Sequence, residues 1–408
     1  MKWFYSIGIF FYASVIKVAS FFNTKAKLRS KGAKQTFVKL NQLKSGNLIW
    51  VHCASLGEFE QGRPLIEKIK LQYPDYKIAL SFFSSSGYEM QKNYESADIV
   101  FYLPNDTHKN AEKLISLLNP KLVFFVKYEF WFWYLNELQK NSIPIYLISG
   151  IFRKNQLFFK SYGNFFIKIL KNFTHLFVQN ASSEKLLFDI GIKNVTVTGD
   201  TRFDRVFEIV QSRKQFEIID KFTDKSFVFI AGSTWKPDED IIFQFINSSD
   251  IQNIKYIIVP HEIKDENIKR IQNLSRKTII RYSESNFENV IDADIIIIDN
   301  IGMLSSLYAY ADIAYIGGGF GTGIHNTLEA AVYGIPVIFG PKYSKFDEAK
   351  ELISRKAGFS IADRNEFFQI IRKLITDTNF KIQSGKNAEI YVKENIGASE
   401  NILQAINL

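Results

Sequence analysis

The stretch I-G-G-G-F-G-T-G-I-H-N-T-L-E-A-A-V-Y-G-I-P-V-I-F-G-P occupies Ile316–Pro341 and guides the interpretation of the whole chain. It continues a short apolar run, Ile313–Ile316, which predicts a buried strand. Five glycines follow within seven residues, a helix is predicted to begin near His325–Asn326, and a second apolar run, Ile335–Phe339, comes next. Glycine lets backbone N–H groups approach a ligand closely, and a helix N-terminus favours anions. The pattern therefore predicts an anion site, such as one for a nucleotide phosphate.

The glycine spacing narrows this prediction. It matches neither the dinucleotide-binding G-x-G-x-x-G pattern nor the phosphate-binding loop that ends in lysine. The alternative interpretation is a glycine-rich turn that serves only to allow tight backbone packing.

Short apolar runs alternate with helical patterns on both sides of this stretch, which is typical of parallel sheets covered on both faces. The predicted strands of the first half are Leu48–Cys53, Lys77–Phe82, Asp98–Tyr102, Lys121–Val126, Pro144–Ile148, Thr174–Val178 and Val195–Thr198. Those of the second half are Ser226–Ala231, Tyr256–Val259, Thr278–Arg281, Ile295–Ile298, Ile313–Ile316 and Pro336–Phe339. Helices are predicted between them, including a long one over Leu157–Asn172. We therefore expect two doubly wound, Rossmann-like α/β domains facing a cleft, with ligands beyond the carboxyl ends of the strands.

Length and composition agree with this architecture. The 408 residues suit two or three domains, and 46% hydrophobic residues are enough for a sizeable core. Cys53 is the single cysteine, so an intrachain disulfide and a cysteine-based metal site are excluded, and a reducing compartment is favoured. The predicted divisions are residues 1–46, residues 47–204 and residues 205–408, with Gly199–Arg205 as the crossing between the two domains.

The charge lies at the beginning of the chain. No acidic residue precedes Glu58, and residues 1–46 alone carry the net charge of +9. The nine basic residues are Lys2, Lys17, Lys25, Lys27, Arg29, Lys31, Lys34, Lys39 and Lys44. Such a basic arm binds either nucleic acid or an anionic membrane surface.

An apolar stretch, Trp3–Phe22, immediately precedes most of these basic residues and favours the membrane. Twenty helical residues span about 30 Å, enough to cross a bilayer core, and the positive flank then places the following domains in the cytoplasm. A helix lying in the membrane interface is the alternative, because Lys17 interrupts the apolar stretch. No cleavage site for a signal peptide stands out, and nucleic acid is not expected as a partner.

Two acidic residues follow predicted strands of the first half. Glu58 lies at the beginning of the first helix after Leu48–Cys53, and Glu129 follows Lys121–Val126 within a dense aromatic segment. Together they could form a two-carboxylate site for glycosyl chemistry. The alternatives are a helix-capping role for Glu58 and a helix-start carboxylate for Glu129.

Polar residues also follow strands of the second half. Ser233 and Thr234 are candidates for a phosphate cradle or for a helix cap, and His261 for a phosphate or base contact. Asn326 and Glu329 stand three apart at the predicted helix start, where Glu329 could accept from ribose hydroxyls or complete a capping box.

The sequence offers no persuasive metal site. Asp292-Ala-Asp294 has the D-x-D form used by some metal-dependent glycosyltransferases, but it precedes a strand rather than following one. The five histidines show no ligand spacing. Asp238-Glu-Asp240 is interpreted as the acidic first turn of a helix.

Taken together and in this order, these motifs resemble those of the 3-deoxy-D-manno-octulosonic acid (Kdo) transferases. The motifs are H-C-A-S-L-G-E ending at Glu58, Y-E-F-W around Glu129, G-D-T-R-F-D at Gly199–Asp204, A-G-S-T at Ala231–Thr234, V-P-H ending at His261, G-I-H-N-T-L-E-A-A at Gly323–Ala331 and V-I-F-G-P at Val337–Pro341. The resemblance implies a GT-B fold with an N-terminal membrane-anchor helix. It also implies transfer of Kdo from CMP-Kdo to the lipid A precursor lipid IVA at the cytoplasmic face of the bacterial inner membrane.

The resemblance further implies catalytic roles. Glu58 would be the base that deprotonates the acceptor hydroxyl, and Glu129 would stabilise the transition state. Arg202 stands where the family usually has lysine, so the positive charge is retained with a different geometry.

The residues implied to bind CMP-Kdo lie in the second half. They are Ser233, Thr234, Pro260, His261, Ile301, Gly302, Met303, Asn326, Thr327, Leu328 and Glu329. Three motifs depart from the family pattern: V-P-H lacks the arginine of P-R-H, Ile301-Gly-Met303 lacks the acid of M-G-E, and Thr327 replaces the proline of H-N-P-L-E.

The implied chemistry needs no resident cofactor and no metal, because the single phosphate of CMP-Kdo does not require one in the way a diphosphate does. Expected partners are CMP-Kdo, lipid IVA and the anionic membrane surface. Two alternatives remain open: a GT-B enzyme that uses a UDP-sugar, as a lipid A disaccharide synthase does, and a non-catalytic membrane-bound nucleotide-binding protein.

Overall fold

The apolar runs form two parallel sheets in the structure, a computed structural model that describes residues 2–43, 46–406 and 408. The chain divides into two compact units. The first unit comprises the chain up to Arg205 together with Ile396–Leu408, and the second comprises Val206–Asn395.

The first unit contains a seven-stranded parallel sheet with the order β3-β2-β1-β4-β5-β6-β7. Its strands are β1 (Leu48–Cys53), β2 (Lys77–Phe82), β3 (Ile99–Tyr102), β4 (Leu122–Val126), β5 (Ile145–Gly150), β6 (His175–Val178) and β7 (Val195–Val197). The helices of the same stretch are α1 (Lys2–Ala19), α2 (Thr24–Leu40), α3 (Leu56–Gln72), α4 (Ser85–Gln91), α5 (His108–Leu118), α6 (Phe132–Lys140), α7 (Asn164–Leu170), α8 (Ala181–Asp189) and α9 (Arg202–Gln211).

The second unit contains another seven-stranded parallel sheet, with the order β10-β11-β9-β8-β12-β13-β14. Its strands are β8 (Phe227–Thr234), β9 (Ile254–Pro260), β10 (Ile279–Arg281), β11 (Ile295–Ile297), β12 (Ile313–Ile316), β13 (Val337–Phe339) and β14 (Gly358–Ser360). The remaining helices are α10 (Glu217–Thr223), α11 (Lys236–Ser248), α12 (Asp265–Leu274), α13 (Leu304–Leu307), α14 (Leu328–Ala331), α15 (Asp347–Ser354), α16 (Arg364–Thr376), α17 (Thr378–Glu394) and α18 (Ala398–Ile406).

Strand β1 shows why these runs form central strands. All six of its residues are buried. Successive side chains point to opposite faces of a strand. Accordingly, Trp50 packs in the core on one face of the sheet, whereas Val51 and Cys53 pack in the core on the other. A parallel sheet that is covered on both faces therefore needs a continuous apolar run, and the sequence supplies one. The predicted fold class of two doubly wound parallel α/β domains is confirmed.

The two N-terminal helices differ in their contacts. No residue of α1 is buried, whereas α2 buries Arg29, Thr36 and Leu40. Thr36 donates a hydrogen bond to the carbonyl of Tyr102 at 2.7 Å, which fixes α2 beside β3. Lys44, one of the nine basic residues, lies outside the described residues.

The predicted apolar helix over Trp3–Phe22 ends earlier than expected, at Ala19, because Asn23 caps a new helix by accepting from the backbone N–H of Ala26 at 3.1 Å. Within the described part of the chain, neither helix alone is long and apolar enough to cross a membrane. The pair α1 and α2, which meet at a bend of 120°, meets the length and composition requirement only when both are taken together.

Two further predicted elements differ from the structure, which also contains a strand that the sequence did not predict. The helix predicted over Leu157–Asn172 is a 3₁₀ turn, Leu157–Phe159, followed by α7. Gly163 separates them, since a Cβ there would lie 2.8 Å from the carbonyl oxygen of Phe158. The helix expected near His325 begins at Leu328 and ends after one turn at Ala331, and Gly334, whose φ is +69°, follows in the turn towards β13. Strand β14 was not predicted.

The division into units differs from the predicted one at the end of the chain. Residues 398–408 were assigned to the second domain, but Ile402 and Leu403 of α18 are buried in the core of the first unit. Asp204 accepts the backbone N–H groups of Gly397 at 2.6 Å and Ser399 at 2.7 Å, which holds α18 there. The N-terminal helices likewise belong to the first unit.

Candidate active site

The order of strands in the first sheet points to one position for a ligand. Strands β1 and β4 are neighbours, but the chain leaves β1 towards β2 and continues from β4 towards β5 on the other side. The loops that follow two such strands diverge, which opens a crevice at their carboxyl ends. Glu58 follows β1 and Glu129 follows β4, so both candidate carboxylates belong to this position.

Glu58 lies in the first turn of α3 and is half-buried. The hydroxyl of Ser55, the residue that precedes this helix, donates a hydrogen bond to Glu58 Oε2. A carboxylate at a helix N-terminus is stabilised by the helix dipole. Glu58 is therefore a carboxylate in a favourable electrostatic position that remains partly accessible to solvent.

Glu129 is held more rigidly, by two nitrogen groups on one oxygen. It is 9% exposed, and its Oε2 accepts from Trp131 Nε1 at 2.6 Å and lies 3.1 Å from His52 Nε2. His52 is on β1 and fully buried, and Trp131 directly precedes α6. The orientation of the carboxylate is thus determined by the folded core and not by solvent.

The hydrogen bonds behind His52 extend this network. His52 Nδ1 lies 2.8 Å from Ser81 Oγ, which in turn accepts from Trp50 Nε1 at 2.8 Å. Ser81 Oγ can accept from Trp50 and donate its own proton to His52 Nδ1, an arrangement in which Nε2 donates to Glu129. His52 thereby orients the candidate carboxylate. The sequence predicted Glu129 but assigned no hydrogen-bonding partner to it.

The environment of the buried Cys53 thiol reflects both carboxylates. Burial raises the pKa of its thiol, and the negative charges of Glu58 and Glu129 raise it further. Both carboxylates therefore lie within electrostatic reach of the same buried side chain. The thiol itself is fully buried, in agreement with a core role.

A series of contacts connects Arg202 to α3, the helix that carries Glu58. Its Nη2 forms an ion pair with Asp200 at 2.7 Å, and Asp200 accepts from Gln61 Nε2 at 3.1 Å. Gln61 is on α3, three residues after Glu58. Burial opposes ionisation of Asp200, but the charge and hydrogen bonds of Arg202 hold the pKa of this carboxyl below its ordinary value. Arg202 is therefore anchored next to the helix that carries Glu58.

The second sheet has the same kind of divergence between β8 and β12. The A-G-S-T motif is the end of β8, and the glycine-rich stretch begins directly after β12. These two predicted motifs are therefore adjacent at the carboxyl edge of the sheet.

The glycines of this loop allow backbones to pass closely. A Cβ on Gly317 would collide with the carbonyl oxygen of Ser233, and one on Gly319 would lie 2.6 Å from Gly340 Cα. Gly318 has a φ of +91°, a conformation that side chains disfavour. The glycines therefore join β12 tightly to its neighbours β8 and β13, in agreement with the tight-packing interpretation.

Asp238 holds the loop from α11, a role that sequence reasoning missed. Its Oδ2 accepts from the backbone N–H of Gly318 and of Trp235, both at 2.9 Å, and its Oδ1 accepts from Tyr315 at 2.8 Å. Burial raises the pKa of this carboxyl, while the three hydrogen bonds oppose the rise. Only the distance in sequence between Asp238 and Gly318 concealed this contact.

The two hydroxyl residues at the end of β8 differ in accessibility. Thr234 is 1% exposed, and its hydroxyl donates to Glu239 at 2.9 Å, so this side chain supports the loop from inside. Ser233 is half-buried and has a φ of +53°.

Three aromatic rings stack beside these residues. The ring of His261 lies 4.4 Å from that of Trp235 and 4.7 Å from that of His325, and both pairs are nearly parallel. Trp235 Nε1 also donates to His325 Nε2 at 3.2 Å. Burial, followed by the proximity of His261, lowers the pKa of His325 to about 4. The stack presents a flat surface of the kind on which a nucleotide base can lie.

Sequence reasoning named His261 but missed the contributions of Trp235 and His325. Each of these residues follows the carboxyl end of a strand or lies in the loop after it. Their shared position after strand ends is the sequence feature from which these contributions could have been predicted.

Asn326 and Glu329 meet as their spacing predicts. Asn326 Nδ2 donates to Glu329 Oε1 at 3.1 Å, while Asn326 Oδ1 accepts from the backbone N–H of Leu328 at 3.1 Å. Both side chains are half-buried. By contrast, Thr327 and Leu328 are fully buried, so their side chains shape the fold beneath this pair.

The remaining predicted residues lie after β9 and β11. Pro260 is the last residue of β9 and is buried. Ile301 is 79% exposed, Gly302 has a φ of +85°, and Met303 is 7% exposed. Only Ile301 of this triplet therefore projects a side chain into solvent.

Within residues 2–43, 46–406 and 408, no group of three or more His, Cys, Asp or Glu side chains is placed to hold a metal ion.

Comparison with known sequences gives consistent matches. Residues 28–205 match the family model described as "3-Deoxy-D-manno-octulosonic-acid transferase (kdotransferase)". A 3-deoxy-D-manno-octulosonic acid transferase of Aquifex aeolicus is 28% identical over 84% of this chain and 90% of its own length. One of Rickettsia felis is 27% identical over 88% of this chain and 79% of its own length.

A third relative is longer. The bifunctional glycosyltransferase/methyltransferase of Fusobacterium nucleatum is 28% identical over 94% of this chain, which spans 61% of that protein.

Comparison with solved structures supports the fold. A UDP-GlcNAc 2-epimerase from Neisseria meningitidis superposes with a TM-score of 0.63 at 17% identity, covering 88% of this chain and 99% of that one. A putative UDP-N-acetylglucosamine 2-epimerase from Listeria monocytogenes gives a TM-score of 0.63 at 11% identity, covering 89% and 96%. At these identities the similarity concerns the fold alone.

Proposed function

We propose that the chain acts as a 3-deoxy-D-manno-octulosonic acid (Kdo) transferase, the family to which its sequence is similar, and that it transfers Kdo from CMP-Kdo to lipid IVA, a precursor of lipid A. The observation that carries this proposal is the pair of carboxylates at the divergence of β1 and β4. Glu58 is accessible at a helix N-terminus, and Glu129 is held by His52 and Trp131.

The proposed reaction is a direct displacement with inversion. Glu58 takes the proton of an acceptor hydroxyl, and the hydroxyl oxygen forms a bond to the anomeric carbon of Kdo. The bond from that carbon to the phosphate oxygen of CMP breaks, and CMP leaves with the electron pair. Glu129 stabilises the positive charge that develops on the sugar ring.

We assign the donor to the second unit. The Asn326 amide would donate a hydrogen bond to the ribose and the Glu329 carboxylate would accept one from a ribose hydroxyl, since both side chains are half-buried and polar. The stack of Trp235, His261 and His325 would support the cytosine ring, and Arg202 would balance the charge of the departing phosphate. No metal and no resident cofactor takes part in this scheme.

The decisive experiment is a transfer assay with defined donors. Purified protein in detergent is incubated with lipid IVA and CMP-Kdo, and the product is analysed by mass spectrometry. We expect the mass of lipid IVA to rise by one or more Kdo residues, with and without a metal chelator. Transfer from UDP-sugars and none from CMP-Kdo would instead identify a UDP-sugar enzyme, and inactivity with every donor would favour a non-catalytic nucleotide-binding protein. Activity that is lost on chelation would contradict metal independence.

We further propose that α1 and α2 attach the protein to the cytoplasmic face of the inner membrane. Helix α1 exposes large apolar side chains, among them Trp3 at 78% and Phe10 at 68%, and basic residues follow it. Anionic lipid attracts such residues in a salt-dependent way. Replacing Lys25, Lys27, Lys31 and Lys34 by glutamine should weaken sedimentation with anionic vesicles at low salt. Unchanged recovery at low and high salt would contradict the electrostatic contribution.

A further inference from the structure

Arg29, in the middle of α2, is a buried cation without a counter-ion. It is 7% exposed, and its Nε and Nη2 atoms are buried without a hydrogen-bond partner among the described residues. Within the described part of the chain, no carboxylate forms an ion pair with this guanidinium. Buried charges in proteins are normally paired, since an unpaired one is costly. An unpaired buried guanidinium therefore suggests a partner that is supplied by a ligand.

The surroundings of Arg29 are open and basic. It lines two cavities of about 570 Å³ and 280 Å³, which also share Ile16 as a lining residue. Lys17 and Lys34 also line the larger cavity, and Lys25 lines the smaller one. Neither set of lining residues includes an aspartate or a glutamate. An anion entering here would meet positive charge without competition from an acidic side chain.

The guanidinium is also connected to the candidate active site. It lies 3.9 Å from the centre of the Phe83 ring, which stacks on Trp131 at 4.8 Å. Trp131 in turn donates to Glu129 at 2.6 Å. Two stacked rings therefore separate the buried cation from the carboxylate, so a ligand group at Arg29 would be held at a defined position relative to Glu129.

We propose that Arg29 binds a phosphate monoester of the acceptor glycolipid and thereby positions its sugar for reaction. This inference rests on the proposed function. Nε and Nη2 form one edge of the guanidinium, which presents two parallel N–H groups and matches two oxygens of a phosphate. The larger cavity also has apolar walls formed by Phe10, Ile16 and Phe37. An amphiphile with a phosphorylated headgroup satisfies both features, whereas inorganic phosphate satisfies only the first.

The test measures binding and not transfer. Isothermal titration calorimetry in detergent compares an acylated glucosamine disaccharide that carries phosphate with the same lipid after phosphatase treatment. The full-length wild type should bind the phosphorylated lipid roughly tenfold or more tightly, the range expected for charge-assisted hydrogen bonds. In Arg29→Gln this ratio should fall at least threefold, whereas Arg29→Lys should retain part of it. A ratio that is unchanged in Arg29→Gln would overturn the proposal.

Arg364→Gln is the matched control, because Arg364 is an exposed arginine that lies over the ring of Phe368 at 4.7 Å, away from these cavities. Its binding ratio should equal that of the wild type. Thermal unfolding without lipid separates binding from structure. Arg29→Gln should melt at the same or a higher temperature than the wild type, since an unpaired buried charge is removed. A large decrease in melting temperature would instead assign Arg29 a structural role.

Two further outcomes separate this proposal from others. Displacement of the lipid by an equal concentration of inorganic phosphate would overturn the assignment to a lipid headgroup. A wild type that prefers the phosphorylated lipid but transfers no Kdo would contradict the proposed function and support the phosphate site. A wild type that transfers Kdo but has the same binding ratio as Arg29→Gln would contradict the phosphate site alone.

Discussion

Glu58 and Glu129 have different environments, and the difference suggests different roles. Glu129 is nearly buried and its Oε2 is engaged by Trp131 and His52. Glu58 is half-buried and contacts the hydroxyl of Ser55. A proton acceptor must reach the substrate, whereas a charge that stabilises a transition state must stay in place. The geometry therefore favours Glu58 as the base and Glu129 as the fixed charge.

Replacing Glu58 by glutamine would remove the proposed base but keep the shape of the side chain. We expect kcat to fall by about 10²- to 10⁴-fold, the usual contribution of general base catalysis. Stability should change by about 1 kcal/mol or less, because a helix-dipole interaction is lost while the glutamine carbonyl can still accept from Ser55. Steady-state kinetics and thermal unfolding check both expectations.

Glu60→Gln is the control for this substitution, because Glu60 lies two residues further along α3 and forms a partly exposed ion pair with Arg205 at 3.2 Å. Its kcat should remain close to that of the wild type. A Glu58→Gln protein as active as the wild type would remove the catalytic assignment.

The environment of His325 in the stack with Trp235 and His261 predicts that the stability of the protein depends on pH. The pKa of His325 is lowered to about 4 in the folded protein, whereas that of an unfolded histidine is about 6.5. The unfolded state therefore binds the proton more readily. The contribution of neutral His325 to the free energy of unfolding is therefore fully present above pH 6.5. It is lost as the pH falls towards 4, because the unfolded state takes up the proton first.

Replacing His325 by glutamine should remove that pH dependence. Urea unfolding at pH 7.5 and pH 5 should show a larger loss of stability for the wild type than for the variant. The difference between the two proteins cancels titration elsewhere in the chain. Equal losses of stability in both proteins would show that His325 is protonated as easily in the folded state as in the unfolded state.

Among the elements, the loop after β12 illustrates how backbone packing shapes a binding region. Asp238 accepts from Gly318, and the carbonyl of Ser233 lies directly against Gly317. The loop that precedes Asn326 is thus held by the start of α11 and by β8. The glycines of this loop therefore serve mainly to let neighbouring backbone segments approach closely.

A single methyl group tests this packing. Gly317→Ala would drive a Cβ into the carbonyl of Ser233 and should destabilise the protein by about 2 kcal/mol or more, since the backbone must shift. Gly321→Ala in the same loop is the control. There the nearest atom, the carbonyl oxygen of Gly318, lies 3.4 Å away, so stability should change by less than about 1 kcal/mol.

Chemical denaturation of both variants, together with calorimetric binding of CMP, provides the measurement. We expect weaker CMP binding for Gly317→Ala only. Equal stability of the two variants would show that the loop yields easily at Gly317.

At the scale of the whole molecule, the end of the chain completes the first unit. Helix α18 packs against α3, and Ile402 is fully buried in the core that also contains Val51 and Phe59. Asp204 holds the start of α18 through two backbone hydrogen bonds. The folding of the first unit therefore depends on residues at both ends of the sequence.

Asp204→Ala should measure this dependence. It would leave two N–H groups without an acceptor at a position that is 4% exposed, which should cost about 1–3 kcal/mol. Glu400→Gln is the control, because the ion pair of Glu400 with Lys68 at 3.0 Å is partly exposed and should contribute at most about 1 kcal/mol. Denaturation followed by tryptophan fluorescence compares the two, and equal losses would contradict the role of Asp204.

How much of the fold and of the site could be predicted from the sequence depends on how far apart along the chain the interacting residues are. Every predicted strand is present, because a central parallel strand needs a continuous apolar run that is visible locally. The helix over Leu157–Asn172 was wrong because the carbonyls that crowd Gly163 become close only when the turn forms. The roles of His52, Asp238 and Trp235 were missed because their partners are distant in sequence.

The sequence by itself determined the two doubly wound sheets, the family resemblance and the positions of Glu58, Glu129, Asn326 and Glu329 after strands, since these depend on local patterns and on motif order. Only the tertiary structure decided that α18 belongs to the first unit, that His52 and Trp131 orient Glu129, and that Arg29 is buried beside Phe83 without a counter-ion. The physical reason is that burial and pairing depend on the neighbours of a side chain in space. Those neighbours come from elements that are far apart along the chain.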